Sequence, residues 1–482
     1  MDHSKLRAAD DGAQDGKRGS RGYRVLVVDL VGLAHGPDGA PDPSDVKAHV
    51  EARGGIFHVG PCDPEEPVTA GAIAFFYQPH LHKAEEILAE ADGRYDAVIA
   101  AATAIPAEAV FPEGGVRIGA GTGNMLSHSW AGPNGGGAAP LMNTPGFNSR
   151  ATAQMALKAI LRVLPDLPVD VLHQRVLEGT IDTGRDLHEF PTAKLEGRRV
   201  AILGYGNIGR ELAKLCRALG MDVVIYARPR HHDWICSEGF RHASRVEEAV
   251  AGADVVSVHL GLGSFDAQAR RYGNAGMVGA ETFTAMKHGA VLVNYDRGEV
   301  IDATALGKAL ADGTVEHCAV DADLFVAPDG SLSGPLLPYR ELAVKHPGKL
   351  HLLPHAAADT DHPSRVEGAK QAIDQIYDAI LRRIVTNAKG PIPQGYTDGG
   401  LVSVRGIGEV TYRTLLRAFG DPESSRKARL EAERLVALLA AVDTAVDPAQ
   451  RRQVLDTHAA ELVMTANRLS SLLRELGIEG RR

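Results

Sequence analysis

Two groups of residues in this chain have the types and spacing to do chemistry. The first is Gly204-Tyr205-Gly206-Asn207-Ile208-Gly209, which follows the apolar run Val200–Leu203 and precedes an amphipathic stretch, Arg210–Leu219. In such a strand–turn–helix context Gly204 permits the tight turn and Gly206 lets the backbone approach a pyrophosphate. Gly209 lets helix and strand pack closely, and free N–H groups at the helix start, around Asn207 and Ile208, favour an anion. The next apolar run, Val223–Tyr226, ends where such folds offer a carboxylate to ribose hydroxyls, yet the residues there are Ala227, Arg228, Pro229 and Arg230. Without a carboxylate nothing repels a 2′-phosphate, and Arg228 and Arg230 can pair with one. NADP(H) is therefore favoured; NAD(H) remains possible if both arginines are solvent-facing loop residues.

The second group is Arg297 and His355. Arg297 follows the apolar strand Val291–Val293, at the carboxyl end where open α/β sheets place ligands. His355 ends the apolar approach Leu352-Leu353-Pro354, and an imidazole titrates near working pH. Hydride addition to a ketone leaves an alkoxide, so a cation and a proton source must converge on that oxygen. Arg297 and His355 supply that pair of functions, although Arg297 read alone could equally be an ion-pair partner of Glu299.

These residues need a scaffold, and 482 residues suggest two or three domains. Residues 1–22 read as a polar, charged, disordered tail. Strand patterns at Arg24–Asp29, Ile73–Phe76, Ala97–Ala100 and Val116–Gly119 alternate with helical stretches, which implies parallel βαβ units. A second α/β series runs from Arg199 through Cys318–Asp321, and Pro363–Ile384 reads as a helix returning to the first domain. Residues 124–141 read as a Gly-rich loop without periodicity, and Asn148 or Ser149 caps the helix that follows. The domains expected are 23–150 with 350–400, 151–349, and a helical extension over 420–482. The fold class is α/β: two Rossmann-like, doubly wound parallel-sheet domains with a cleft between them, plus that extension.

A net charge of −9 argues against nucleic-acid binding through bulk electrostatics. No apolar run is long enough to span a bilayer, so no membrane partner is expected. The four cysteines have no CxxC spacing, so neither a metal site nor a disulfide framework is expected. A cytoplasmic location follows from the absence of a signal-like segment.

Several motifs occur in one order: GAGTGN at 119–124, NTPGFNSRATAQ at 143–154, GYGNIGREL, DVVSVHL at 254–260, MKHGAVLVNYDRGEVID at 286–302, CAVDADLF at 318–325 and LLPHAAADT at 352–360. In these the chain, over about residues 24–385, resembles the D-isomer-specific 2-hydroxyacid dehydrogenases, which include glyoxylate/hydroxypyruvate, phosphoglycerate, formate and phosphite dehydrogenases. The resemblance implies a cofactor domain inserted into a substrate domain, and a homodimer is expected. It implies reduction of a 2-oxo acid by hydride, with His355 as acid/base and Arg297 on the carboxylate. It also implies Asp321 at the nicotinamide carboxamide and backbone contacts to the substrate carboxylate around Thr122 and Gly123, with the Ala101–Thr103 loop a further candidate. Asn148 resembles the asparagine that formate dehydrogenases present to substrate.

The chain departs from the pattern where the family's glutamate partner of the histidine would fall, near Val326-Ala327-Pro328. Asp323, Asp329 and Asp359 are nearby candidates for that role. Two alternatives stay open: direct hydride abstraction from formate or phosphite, and a dinucleotide-sensing, corepressor-like protein that engages a partner through its C-terminal helices.

Overall fold

Short apolar runs bounded by glycine, proline and charged turns become the strands of two parallel sheets. The computed structural model describes residues 21–30, 33–37, 39–119, 123–132, 135–164, 167–190, 194–327, 329–355, 361–402, 422–445 and 447–475. Its Cα trace divides into two units, Met1–Phe147 with His362–Arg482, and Asn148–Asp361.

The first unit holds β1 (Tyr23–Val27), β2 (Ile56–Val59), β3 (Ile73–Tyr77), β4 (Ala97–Ala100), β5 (Gly114–Arg117) and β6 (Leu141–Asn143) in the order β2-β3-β1-β4-β5-β6. All pairings are parallel. Apart from the edge strand β2, whose Ile56 and Val59 are exposed, the sheet is buried on both faces, so strands such as β1, β3 and β4 read as continuous apolar runs rather than alternations. Val25 and Val27 join Phe75, Ile373 and Ile376 on one face, the last two from the helix His362–Arg382. Leu26 and Val28 join Phe76, Val98 and Trp130 on the other.

Trp130 corrects the reading of 124–141 as an irregular loop. His128–Trp130 forms a 3₁₀ turn whose first residue is preceded by Ser127, the side chain of which accepts from the Ser129 N–H. The fully buried indole donates to the Met125 carbonyl at 2.8 Å and stacks on Phe111. Burying one Trp there is worth a few kcal/mol, which outweighs the absence of periodic sequence.

The second unit runs through β7 (Arg199–Leu203), β8 (Asp222–Tyr226), β9 (Arg241–Ala243), β10 (Val255–Val258), the hairpin β11–β12 (Phe265–Asp266, Arg271–Tyr272), β13 (Ala290–Asn294), β14 (Val315–Asp321), the hairpin β15–β16 (Phe325–Val326, Leu332–Ser333) and β17 (Leu350–Leu353). Its seven-stranded parallel sheet has the order β17-β14-β13-β10-β7-β8-β9. The chain reverses direction across the sheet between β7 and β10, the switch point where doubly wound folds leave a crevice at the carboxyl ends of the strands. The helix Ser149–Val163 covers one face, its Ala153, Ala156 and Ile160 sharing a core with Leu212, Ala213 and Cys216 of the helix Asn207–Ala218. The chain returns to the first unit after residue 361 rather than at 350, because Leu350–Leu353 is bonded to β14 as the edge strand of the second sheet.

Beyond residue 421, the helices Pro422–Asp443 and Pro448–Glu475 pack on each other. Asp447 caps the second by accepting from the Ala449 and Gln450 N–H groups at 2.8 and 2.9 Å. Leu430, Val436 and Val463 remain exposed on them. Among the described residues no helix is long and apolar enough to cross a membrane.

Candidate active site

At the switch point the glycines divide their work by what surrounds each Cα. Gly204 has φ +108°, and a Cβ there would overlap the His259 carbonyl. A Cβ at Gly209 would overlap the Gly204 carbonyl, so that position brings helix and strand together. Gly206 has nothing within 4 Å of an added Cβ: the space over the turn is open. That open cradle, at the N-terminus of the helix Asn207–Ala218, fits a pyrophosphate. The helix is also anchored sideways. Arg210 donates to Glu238 through Nε at 2.7 Å and through Nη2, and the Tyr205 hydroxyl shares the same carboxylate.

The ribose end lies beside the cradle. The Gly204 N–H donates to the Tyr226 carbonyl at 2.8 Å, which sets the end of β8 against the glycine turn. Ala227 is buried and its carbonyl bonds to His242 Nε2 at 2.9 Å; Arg228 and Arg230 are exposed, with Arg230 Nε 3.3 Å from His231 Nε2. His259, at the end of β10, went unread in the sequence. It is buried with Nε2 2.9 Å from Ser257 Oγ, and burial pushes its imidazole down to about 3, so it is neutral. The signal available was its position at the end of the apolar run DVVSVHL, the third strand after the glycine motif.

Arg297, Asp321 and His355 come from the carboxyl ends of three neighbouring strands, β13, β14 and β17. Their registers pair Asn294 with Val320 and Asp321 with Leu353. Asn294 is fully buried and works as a latch: its Oδ1 accepts from the Asp296 N–H at 3.3 Å and its Nδ2 donates to the Arg297 carbonyl at 2.9 Å. Gly298 packs behind Arg297, where a Cβ would lie 2.9 Å from Ala322 Cβ, and the Tyr339 hydroxyl donates to the Gly298 carbonyl at 2.6 Å. The guanidinium is thus fixed at its base, while 39% of the side chain stays exposed. Its carboxylate neighbours are Asp296 and Asp323, each at 3.9 Å, too long for hydrogen bonds; Glu299 is not among them.

His355 has φ +55°, a left-handed conformation unusual for a residue with a Cβ. Its Nδ1 is buried and has no hydrogen-bond partner among the described residues. Asp321 is buried at the end of β14 and acts on the Tyr295 phenol, which burial and that charge push up to about 12 against the pull of Arg162. Asp296 precedes Arg297 in the turn after β13, its carboxylate 3.9 Å from the guanidinium. Burial holds its carboxyl above the usual carboxylate range, while the Arg297 and His355 charges draw it down.

Val326 and Ala327 lie in the β15–β16 hairpin, where Val326 is exposed. Asp329 sits at the hairpin tip and accepts from the Ser331 N–H at 2.9 Å. Asp323 neighbours Arg297, and Asp359 lies outside the described residues.

The loops expected at the substrate carboxylate belong to the first unit. Gly123 is exposed, and Thr122 lies outside the described residues. The N–H groups of Ala101, Ala102 and Thr103 all donate to the Asp29 carboxylate, as does the Thr103 hydroxyl. They are therefore committed within the fold, which corrects the expectation that they would bind a substrate carboxylate. Asn124 ties the same loop by donating to the Ala101 and Thr103 carbonyls at 2.7 and 3.2 Å and accepting from Arg117 Nε at 3.2 Å. Asn148, at the start of the second unit, accepts through its carbonyl from the Thr152 N–H and hydroxyl. Arg150 faces Glu211 at 3.9 Å.

Comparison with known proteins places residues 168–356 in the D-isomer specific 2-hydroxyacid dehydrogenase, NAD binding domain. The chain is 27% identical over 273 residues to a glyoxylate reductase of Aeropyrum pernix, covering 55% of this chain and 70% of that one. It is 29% identical over 183 residues to a D-3-phosphoglycerate dehydrogenase of Haemophilus influenzae, covering 38% and 40%. The structure of the NAD+-bound 3-phosphoglycerate dehydrogenase of Entamoeba histolytica matches with a TM-score of 0.51 at 18% identity, covering 77% of this chain and 99% of that one, a likeness of fold.

Proposed function

We propose, for a chain that belongs to the D-isomer-specific 2-hydroxyacid dehydrogenase family, that it interconverts a 2-oxo acid and the corresponding D-2-hydroxy acid. A nicotinamide dinucleotide, when bound at the glycine cradle, supplies or accepts the hydride. The Arg297 guanidinium pairs with the substrate carboxylate and polarises the oxo group. The His355 imidazolium gives its proton to the oxo oxygen during reduction, and the neutral imidazole takes it back during oxidation. The observation that supports this reading is the placement of Arg297 and His355 after β13 and β17, the strands on either side of β14 in the sheet that bears the cradle, with Arg297 partly exposed and its carboxylate neighbours at 3.9 Å.

NADP(H) is the preferred cofactor in this proposal, with NAD(H) the alternative. Support comes from Ala227 in place of an acid and from two exposed guanidiniums, Arg228 and Arg230, beside the cradle. Asp321 serves the nicotinamide end, and Gly123, Thr122 and Asn148 serve substrate. The substrate is a small anion. A homodimer is also proposed: the helix Val169–Leu177 buries none of its residues, and Val169, Val171, Val176 and Leu177 are exposed. Sedimentation of the wild type and of a Val176→Asp/Leu177→Asp variant checks this, with a dimer giving way to a monomer.

A second reading is direct hydride abstraction from formate or phosphite, which would not need a carbonyl proton donor in the same way; the absence of an acid near Val326-Ala327-Pro328 favours instead a dinucleotide-sensing protein. Fluorescence titration with NADPH and NADH, followed by turnover against 2-oxo acids, formate and phosphite, separates the readings. Tight binding without turnover on any of them would point to a dinucleotide sensor instead. An NADH complex as tight as that of NADPH would reject the cofactor preference.

A further inference from the structure

The segment after β14 brings an exposed aromatic ring to the turn that holds Arg297. We infer that Phe325 is a specificity-determining residue: its ring is the wall met by the group on C2 of the substrate, so that 2-oxo acids with an apolar side chain are taken in preference to glyoxylate. The inference rests on the dehydrogenase reading above and deepens it.

Two separate contacts tie the hairpin β15–β16 to the Arg297 turn. On the incoming strand, Asp323 Oδ2 lies 3.9 Å from Arg297 Nη1, and Phe325 follows two residues later, its Cα within about 7 Å of that of Asp323. On the outgoing strand, Pro335 packs on Gly298, where an added Cβ would come 3.1 Å from Pro335 Cβ. The preceding residue, Gly334, has φ +107° and lies against the ring: a Cβ there would stand 3.1 Å from Phe325 Cδ2. The Leu336 N–H donates to the Asp323 carbonyl at 3.0 Å and closes the stem. The ring thus stands on the stem that packs against the Arg297 turn.

The hairpin above that stem is short and fixed. Phe325 pairs with Ser333 and Val326 with Leu332, and the Ala327 N–H donates to the Ser331 carbonyl at 2.8 Å. Leu324 packs against the core of the second unit and anchors the strand from below. Successive strand residues point to opposite faces, so Phe325 lies on the Gly334 side and Val326 on the other. Phe325 remains 58% exposed, an apolar surface that a ligand can cover. The guanidinium recognises the carboxylate, whereas the ring offers neither charge nor a strong hydrogen bond. It therefore gains from each methylene on C2 and nothing from the hydrogen that glyoxylate carries there.

The test compares 2-oxopentanoate with glyoxylate, which presents the same carboxylate and oxo group, in the full-length protein with NADPH and with NADH. The wild type is expected to favour the larger acid in kcat/KM. Phe325→Ala is expected to lower kcat/KM for 2-oxopentanoate at least roughly tenfold and to leave glyoxylate within about threefold. Phe325→Leu is expected to keep most of the preference, and Val326→Ala, on the opposite face, to leave it unchanged. Inhibition by pentanoate and by acetate, neither of which can be reduced, reads the same wall without turnover: Phe325→Ala should weaken pentanoate alone. Because the ring is exposed, all three variants are expected to melt like the wild type.

Equal losses on both acids in Phe325→Ala would overturn the inference, because the ring would then serve the placement of Arg297. An unchanged ratio would overturn it as well, and so would altered sedimentation, which would assign the ring to a contact between subunits. A wild type that reduces glyoxylate as well as 2-oxopentanoate would refute the inference alone. One that reduces no 2-oxo acid would refute the dehydrogenase reading and the inference with it.

Discussion

Replacing Gly206 and Gly209 by alanine separates binding from folding within a single motif. At Gly209 the new methyl overlaps the Gly204 carbonyl, which is backbone held by β7 and cannot swing away. Overpacking of this kind costs about 1–3 kcal/mol or more. For a unit of about 200 residues, about 3 kcal/mol lowers Tm by roughly 6–12 °C. At Gly206 the added methyl meets nothing within 4 Å, and the backbone, at φ −87° and ψ −164°, is extended and open to any residue. Loss of chain entropy in the unfolded state favours alanine there by about 0.4–1 kcal/mol, against a few tenths for the poorer cap. The fold is therefore expected to keep its Tm within about 4 °C. The same methyl stands where a pyrophosphate would approach, and dinucleotide affinity should fall at least about tenfold, or about 1.4 kcal/mol. Thermal unfolding and NADPH fluorescence titration on both variants read the two effects apart. A Gly206→Ala protein that binds NADPH like wild type would refute the cradle, and one that melts like Gly209→Ala would refute the claim of open space.

Three further outcomes are expected. Joint replacement of Arg228 and Arg230 by alanine should weaken NADPH at least roughly tenfold while leaving NADH within about twofold, since even one guanidinium–phosphate bond is worth about 1.5–3 kcal/mol; equal losses for both dinucleotides would reject the ribose assignment. His259 is buried neutral, with a folded pKa of about 3 below an unfolded value near 6.5. Protonation therefore favours the unfolded chain: stability is complete above about pH 6.5 and declines toward pH 3 by up to about 1.4 kcal/mol per unit. His259→Gln should flatten that slope in denaturant titrations from pH 7 to pH 4. Thiol labelling of the native protein should be fast at the exposed Cys236 and slow at Cys62, Cys216 and Cys318, which are buried, with the Cys216 thiol pushed up to about 12.

Much of this arrangement was legible because the strands carrying the site are buried on both faces, so an unbroken apolar run ends at the residue that does chemistry. Leu203 precedes Gly204, Asn294 precedes the Arg297 turn, and Leu353 precedes His355 by two. The glycine motif was legible for the same reason, being framed by a strand and a helix. What escaped had a different physical character. β9 (Arg-His-Ala) and β6 (Leu-Met-Asn) are three-residue strands with no pattern of their own, paired at or next to a sheet edge. Trp130 gains its place from packing against Phe111, a contact no local period announces. The commitment of the Ala101–Thr103 amides to Asp29 spans more than 70 residues.

The helix His362–Arg382 has a consequence for how the chain is made. It supplies Val366, Ile373, Ile376 and Ile380 to the core of a sheet whose strands are all translated before residue 144. On the ribosome that sheet must wait, one face uncovered, until more than 200 further residues emerge, roughly 10–50 s at ordinary elongation rates. The unit Asn148–Asp361 is continuous in the chain and has everything it needs as soon as it is out. The part synthesised second is therefore the part equipped to fold first, and the nascent amino-terminal sheet is where a chaperone has something to cover.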